Sequence, residues 1–210
     1  MLTRARLLRQ HGYSTLLVDL QAHGESVGKQ ITAGHMERHD VLAAVDYIQN
    51  FDASQRVAIF GSSLGGAATL LAEPAVDAIV LESVYPTISE AVHNRVQMRI
   101  GLLHHLVAPL LLAQLNPRLG ISPGELRPID HLANIECPIV IASGDCDRHT
   151  TIDETQRMYR VAKPPKKLVI FDGASHEDLL AHDPVKYETE IVGYINNIMG
   201  PRHSPPKPAD

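Results

Sequence analysis

Residues 56–72 read RVAIFGSSLGGAATLLA, and this stretch decides the fold. The apolar run Arg56–Phe60 has the composition of a buried strand, and the small and apolar residues from Leu64 to Ala72 predict a helix. Between them lies GSSLG, which fits the pattern G-x-S-x-G and places a serine on a tight turn from a strand into a helix. The stretch therefore predicts that Ser63 projects above a sheet, at a helix N-terminus that favours developing negative charge.

Two glycines of this turn, Gly61 and Gly65, have a predicted steric role. We expect them to leave room where side chains would collide with the neighbouring strand and helix. A turn rich in glycine and serine but without chemistry is the alternative interpretation, so the candidate partners of Ser63 decide between the two.

Strand-like segments alternate with helix-like segments along the rest of the chain. The predicted strands are Ser14–Leu20, Arg56–Phe60, Ala78–Glu82, Cys137–Ser143 and Lys167–Phe171. The predicted helices are Glu37–Asn50, Leu64–Ala72, Thr151–Ala162 and Pro184–Met199. This alternation predicts an α/β fold with a mostly parallel sheet of about five strands and helices on both faces. The ligand crevice is then expected at the carboxyl ends of the strands.

One domain is predicted over residues 1–200, with residues 84–131 as a helical cap inserted over the crevice. Two interpretations of the leucines of this cap stay open, because they either line an acyl pocket or pack as in any helical segment: Leu102, Leu103, Leu106, Leu110, Leu111 and Leu112. Residues 201–210 contain four prolines and predict a disordered tail.

Composition bounds the classes of function. The chain has 210 residues, of which 44% are hydrophobic and 20% charged, as in an ordinary globular domain. A formal net charge of −5 provides no basic field for phosphates, which argues against nucleic-acid binding. Cys137 and Cys146 flank a predicted strand, so we expect no disulfide between them. Nothing in the sequence indicates an oligomeric state.

The chain shows no segment that we expect to span a membrane or to direct export. The longest apolar stretch, Leu106–Leu115, is interrupted by Pro109 and Gln114 and is shorter than the roughly 20 residues of a membrane span. The N-terminus has scattered arginines and no unbroken apolar region. The chain as it stands therefore predicts a cytoplasmic location. An export signal or membrane anchor in a missing N-terminus stays open.

A serine hydroxyl needs a base to remove its proton, and the base needs an orienting carboxylate. GDCD follows the fourth predicted strand and GASH follows the fifth, so both lie at the same sheet edge as Ser63. We expect His176 to act as the base and Asp147 to orient it. Asp145 is the alternative acid, and Glu82, at the end of the third strand, is a remoter candidate.

Four motifs together resemble the α/β-hydrolase superfamily: D-x-x-x-H-G-x-S at Asp19–Ser26, the serine turn, G-x-x-D ending at Asp147 and G-A-x-H ending at His176. The resemblance covers about residues 5–198 and is nearest to bacterial serine-aminopeptidase-like and Bem46-type hydrolases. It implies a Ser-Asp-His order along the chain and a backbone N–H of Leu64 as the first donor of an oxyanion hole. It also implies a structural role for the loop with His23.

The chain departs from this family at its N-terminus. Relatives have strands before the position of Leu2, and one of these ends in a His-Gly loop that lends the second oxyanion donor. That strand lies between those corresponding to Ser14–Leu20 and Arg56–Phe60. His11-Gly12 ends a helix instead and does not replace the loop. We expect either that the natural protein begins further upstream, which we favour, or that this is a shortened copy with reduced activity.

The resulting prediction is a serine hydrolase that cleaves a carboxylic ester or related acyl compound through an acyl-enzyme on Ser63. Its expected partner is a small-molecule acyl substrate. It needs no cofactor and no metal, because the sequence has neither H-E-x-x-H nor paired-cysteine spacing. An amide or peptide hydrolase with the same triad and a catalytically impaired remnant or binding module are the alternatives.

Overall fold

The computed structural model describes residues 1–200; the predicted disordered tail lies outside the described residues. The strands are β1 Ala58–Ser62, β2 Ala78–Glu82, β3 Ile139–Gly144 and β4 Lys166–Phe171. The helices are α1 Leu2–Gln10, α2 Glu37–Phe51, α3 Leu64–Ala72, α4 Ile88–Ile100, α5 His104–Leu112, α6 Leu115–Leu119, α7 Pro128–His131, α8 Ile152–Val161, α9 Leu179–His182, α10 Pro184–Lys186 and α11 Gly193–Met199. A π-helical segment, Tyr187–Val192, joins the last two, so the predicted C-terminal helix is confirmed as one helical run.

The four described strands form one sheet in the order β1-β2-β3-β4, and every pairing is parallel. Alternate residues of β2 face opposite sides of this sheet. Val80 packs with Leu8 of α1 and with apolar residues of the C-terminal helical run. Leu81 packs on the other side, with Leu70 of α3 and Met158 of α8. Helices therefore cover both faces, which confirms the predicted fold class.

The predicted strand Ser14–Leu20 is wrong. The segment forms no strand in the structure, and Leu16, Leu17 and Val18 are 44–47% exposed. A strand needs a neighbour that accepts and donates its backbone hydrogen bonds, and no other segment among residues 1–200 pairs with this one. The described sheet therefore has four strands rather than about five, with β1 at one edge.

The predicted cap segment is helical, and it reverses direction near its middle. Thr87 begins α4 by accepting a hydrogen bond from the Glu90 N–H at 3.2 Å. Gly101, with φ of 58°, follows α4, and the rings of His93 and His104 then lie 5.9 Å apart, edge to face. Helix α5 therefore folds back onto α4. The role of this segment as a cap stays a prediction.

Residues Ile88–Leu119 are apolar and long enough to cross a membrane, if length and composition alone are considered. Helices in the core of soluble proteins can meet the same criterion, but only 17% of the most apolar window is buried in this fold. The reversal at Gly101 divides the stretch into separate helices. The expectation that the chain has no membrane span stays a prediction.

Candidate active site

Ser63 occupies a strained turn between β1 and α3. Its φ of 47° and ψ of −113° lie in a region that residues with a side chain seldom adopt. Its backbone N–H donates to the carbonyl of Glu82 at 2.8 Å, which holds the turn against the end of β2. Because α3 begins at Leu64, the turn delivers the serine directly to a helix N-terminus, as G-x-S-x-G predicts.

The steric role predicted for the two glycines holds for Gly61 but not for Gly65. A Cβ on Gly61 would lie 2.7 Å from the Cα of Gly66, so the close approach of strand and helix requires glycine there. A Cβ on Gly65 would meet nothing within 4 Å. The tightly packed second glycine is Gly66, where a Cβ would lie 2.2 Å from Cγ2 of Val84. The prediction for Gly65 was wrong because the helix turns its next residue, not this one, toward Gly61 and the loop after β2.

Two loops at the carboxyl edge of the sheet cross closely enough to exchange backbone contacts. Gly144 ends β3, and a Cβ there would lie 2.1 Å from the carbonyl oxygen of Ala174, which follows β4. The N–H of Cys146 donates to that same carbonyl at 3.0 Å. Asp145 adds a second link, because its Oδ1 accepts from the Gly173 N–H at 2.7 Å. The crossing brings the ends of both loops together.

The crossing places Asp147 against His176. Oδ2 of Asp147 lies 2.8 Å from Nδ1 of His176, and the carboxylate is fully buried while the imidazole is partly exposed. The other oxygen, Oδ1, accepts from the N–H groups of His149 at 2.8 Å and Thr150 at 2.9 Å. Burial acts to raise the pKa of Asp147, but the hydrogen bonds from His176 and from these N–H groups outweigh it, so its pKa lies below the ordinary value.

The charge state of Asp147 fixes the tautomer of the imidazole. An ionised carboxylate only accepts hydrogen bonds, so Nδ1 of His176 must carry the proton that it shares with Asp147. A neutral imidazole with a proton on Nδ1 has a free electron pair on Nε2. The ring is therefore equipped to accept a proton at Nε2.

The two other candidate acids have different partners. Asp145 serves the loop crossing through Gly173. Glu82 forms a buried ion pair with Arg4, whose Nε lies 2.9 Å from Oε1, and it accepts from the Tyr187 hydroxyl at 2.5 Å. In the described part of the chain, His176 is hydrogen-bonded to neither of them.

Ser63 is linked to the acid–imidazole pair through the end of β2. The Ser63 N–H donates to the backbone carbonyl of Glu82. The next carbonyl along the chain, that of Ser83, accepts a hydrogen bond from Thr150 Oγ1 at 3.2 Å. Within residues 1–200, the Ser63 hydroxyl and the His176 imidazole are not hydrogen-bonded to each other. Catalytic hydrogen bonds are often long in ligand-free proteins and tighten with substrate bound. All three predicted residues follow the carboxyl ends of strands in the same parallel sheet.

The comparison with known protein families decides the family of the chain. Residues 2–189 match the Alpha/beta hydrolase family. The chain belongs to the alpha/beta hydrolase family. The resemblance inferred from the four motifs is thereby confirmed at this level, and the finer serine-aminopeptidase-like or Bem46-type group stays a prediction.

Individual proteins that are similar to this chain show how far the likeness extends. YqkD of Bacillus subtilis is 23% identical over 193 residues, which cover 89% of this chain and 63% of YqkD. The chain thus spans less than two thirds of that relative. The structure of the esterase Pf2001 of Pyrococcus furiosus superimposes with a TM-score of 0.77 at 21% identity, over 95% of this chain and 77% of that one. A puromycin-hydrolyzing peptidase of Mycobacterium tuberculosis gives a TM-score of 0.62 at 23% identity, over 82% and 27%.

His149 was missed by the sequence analysis. Its ring lies 4.7 Å from that of His176, centre to centre, at an interplanar angle of 39°. Burial lowers the pKa of His149, and the neighbouring His176 and Arg95 lower it further. Only the folding of the loop after Asp147 brings this ring to the site, so no spacing in the sequence could have revealed it.

The same loops group three possible metal ligands. Potential ligand atoms of Asp147, His149 and His176 all lie within 4.8 Å of one another, and this is the one such group among residues 1–200. Two imidazoles and a carboxylate are a donor set that suits zinc. The prediction of no metal depended on spacing in the sequence, and spacing does not reveal ligand groups that separate loops bring together. It stays a prediction.

A cleft of about 310 Å³ lies beside the buried acid, between α4 and the loop after β3. Asn94 and Met98 of α4 line one side, and Asp147 and Arg148 line the other. Asn94 also donates to the carbonyl of His149 at 3.2 Å, which ties α4 to this loop. Helix α4 therefore forms one wall of the region around the acid.

The loop of D-x-x-x-H-G-x-S is held by contacts within itself. Oδ2 of Asp19 accepts from the Glu25 N–H at 3.1 Å, and Ser26 Oγ donates to the Asp19 carbonyl at 2.6 Å. Gly24 has φ of 53°, and a Cβ there would lie 2.1 Å from the Asp19 carboxylate. His23 contacts the Gln21 carbonyl at 2.9 Å through Nδ1. These contacts agree with the structural role that the resemblance implies for His23.

Proposed function

We propose that the chain is a serine hydrolase that cleaves a carboxylic ester or related acyl compound with Ser63 as nucleophile, His176 as base and Asp147 as orienting acid. The observation that carries the proposal is the 2.8 Å contact between a buried carboxylate and an imidazole at the sheet edge where the strained Ser63 turn also ends. Membership in the alpha/beta hydrolase family supports hydrolysis as the reaction class.

The proton path follows from the tautomer. His176 Nε2 takes the hydroxyl proton of Ser63 as the oxygen attacks the acyl carbon, and the imidazolium is stabilised by the charge of Asp147. The imidazolium then gives the proton to the leaving group, whose bond to the acyl carbon breaks. Water, activated by the same nitrogen, cleaves the resulting ester on Ser63 and regenerates the enzyme.

The oxyanion of the tetrahedral intermediate needs backbone donors. The first N–H groups of a helix have no partner within the helix, and Leu64 is the first residue of α3. Its N–H is therefore the first donor in this proposal. The resemblance implies that the second donor comes from the His-Gly loop that relatives carry before the position of Leu2. Without one of the two donors, kcat falls by about a hundred- to a thousandfold.

A fluorophosphonate probe tests the nucleophile. We expect it to label the protein and to lose that labelling in Ser63→Ala, because only an activated serine reacts. The matched control is Ser62→Ala, the neighbouring hydroxyl at the end of β1, which should leave labelling intact. Well-folded protein that takes up no probe would contradict the proposal and favour the binding-module alternative.

Ester hydrolysis with chromogenic p-nitrophenyl esters tests the acid. Asp147→Asn should lower kcat by about a thousand- to ten-thousandfold, because the amide favours the wrong tautomer of His176. Asp145→Asn weakens one loop hydrogen bond, which predicts a loss of less than about tenfold. The reverse order of effects would make Asp145 the acid.

Amide or peptide hydrolysis is the second candidate function. It is favoured by the fold that the chain shares with a puromycin-hydrolyzing peptidase of Mycobacterium tuberculosis. Matched ester and p-nitroanilide substrates with the same acyl group separate the two. A higher kcat/KM for the anilide would replace the ester proposal while keeping the same three residues.

A further inference from the structure

The exposed side of α5 and the turn before it form an apolar surface. His104 and Ala108 are the buried residues of α5, and they face the rest of the fold. We call the opposite side the leucine surface: Leu102, Leu103, Leu106, Leu110 and Leu111, which are between 44% and 83% exposed. Packing inside the fold, one of the two interpretations from the sequence, is therefore wrong for these five leucines, whereas Leu112 is half-buried. The acyl-pocket interpretation stays a prediction.

The charge around the leucine surface differs in sign from that of the whole chain. Residues 91–124 contain Arg95, Arg99 and Arg118 and no aspartate or glutamate, whereas the chain carries a net charge of −5. Arg99 is exposed just before the turn that carries Leu102, and Arg118 is exposed in α6 beyond the other end of α5. The apolar surface is therefore flanked by positive charge at both ends.

Exposed leucine clusters flanked by arginines suit one kind of partner. An apolar patch of this kind is costly to leave in water and marks an interaction site. A helix with an apolar outer face and flanking arginines lies in the interface of a bilayer and is attracted by anionic headgroups. In a symmetric dimer through this surface the same patch would face itself, so the arginines of the two copies would lie close to like charges.

We propose that the leucine surface docks on an anionic lipid bilayer, with α5 lying in the interface. The leucines enter the boundary between headgroups and acyl chains, and Arg99 and Arg118 contact the headgroups. A docked α5 is connected through α4 to the loop after Asp147, because α4 packs against α5 and Asn94 of α4 donates to the carbonyl of His149. This proposal is independent of the catalytic one, since it concerns binding alone.

Vesicle flotation tests the leucines. The full chain should float with phosphatidylcholine vesicles that contain about a third phosphatidylglycerol, and Leu106→Gln/Leu110→Gln should reduce the bound fraction by at least about tenfold, because two exposed leucines then stay out of the interface. The matched control is Phe51→Gln/Val185→Gln, which changes two apolar residues elsewhere that are more exposed than these leucines. Equal losses in both pairs would overturn the proposal.

The same vesicles test the two arginines that flank the leucine surface. Arg99→Gln/Arg118→Gln should weaken binding to the anionic vesicles by roughly ten- to thirtyfold, since each arginine near such a surface contributes about a fivefold gain. Arg6→Gln/Arg9→Gln alters two exposed arginines of α1 and changes the net charge equally, and it should have little effect. Binding that is equally tight on vesicles of pure phosphatidylcholine would overturn the anionic part of the proposal.

The absence of tryptophan from the chain permits a site-specific probe. In Leu106→Trp, the fluorescence emission should shift to the blue when anionic vesicles are added, and in Val185→Trp it should not. A second copy of the chain is the other possible occupant of the leucine surface. Light scattering on the native chain and on Leu106→Gln/Leu110→Gln tests this alternative. A dimer that Leu106→Gln/Leu110→Gln makes monomeric, without vesicle binding by either form, would overturn the proposal.

Discussion

Two apolar runs of similar composition have opposite fates in this fold. Ser14–Leu20 (STLLVDL) and Ala78–Glu82 (AIVLE) are both rich in aliphatic residues, and each carries an acid near its carboxyl end. The second run is β2, in the middle of the sheet and fully buried. The first is an exposed connection between α1 and the loop of Asp19. The same kind of sequence has therefore become a core strand in one place and a surface segment in the other.

The difference between the two runs lies in their neighbours. β2 pairs on both sides, with β1 and β3, so its backbone groups are satisfied and its side chains pack against both helical layers. Ser14–Leu20 has no paired neighbour among the described residues. Strand preference measures how a residue fits a pleated, half-buried surface, and it has no effect where that surface is missing.

The acids of the two runs show the same contrast. Glu82 is buried with Arg4 and Tyr187, and this network joins the end of β2 to α1 and to the C-terminal helical run. Burial and the neighbouring charge of Glu82 raise the pKa of Tyr187 above its ordinary value. Asp19 is exposed and holds only its own loop.

The largest expected effect comes from these two acids. Glu82→Gln should lower the free energy of unfolding by about 3–5 kcal/mol, because it leaves the Arg4 charge buried without its partner. Asp19→Asn, the matched change in the exposed run, should cost less than about 1 kcal/mol. Urea denaturation of both variants checks this. Similar losses in the two variants would mean that Asp19 is as buried as Glu82.

A second, slightly smaller contrast concerns the leucines of the two runs. Leu81→Ala should cost about 2–5 kcal/mol, because it leaves a cavity in a core that includes Leu70 and Met158. Leu17→Ala removes the same atoms from an exposed site and should cost less than about 1 kcal/mol. Denaturant midpoints with unchanged m-values provide the measurement. A costly Leu17→Ala would show that Ser14–Leu20 is buried in solution.

The smallest predicted effect concerns another buried carboxylate, that of Asp147. Its pKa is lowered in the folded protein, so its contribution to stability is complete above the ordinary value of 3.8 and is lost as the pH falls through the lowered value. Asp147→Asn should therefore be less stable than the native chain by about 1–3 kcal/mol at pH 7, and by less at pH 3. Urea unfolding at both pH values measures this. A difference that does not shrink with falling pH would contradict the lowered pKa.

Local sequence patterns were sufficient wherever a motif carries its own geometry. The turn at Ser63, the helices after it and the two loops ending in Asp147 and His176 appear where the patterns predicted them. The steric role of glycine was predicted correctly at Gly61, where strand and helix meet within the motif, but not at Gly65. The close approach of Gly66 to Val84 depends on the loop after β2, which the motif does not contain.

Local sequence was enough to predict four of the five strands, the helices between them and the serine turn, because each of these depends on neighbours only a few positions away. The tertiary structure alone decided that Ser14–Leu20 stays outside the sheet, that Glu82 pairs with Arg4 and that His149 lies against His176. It also decided that the leucines of α5 face outward. Each of these depends on contacts between residues far apart in the chain, which composition and spacing do not encode.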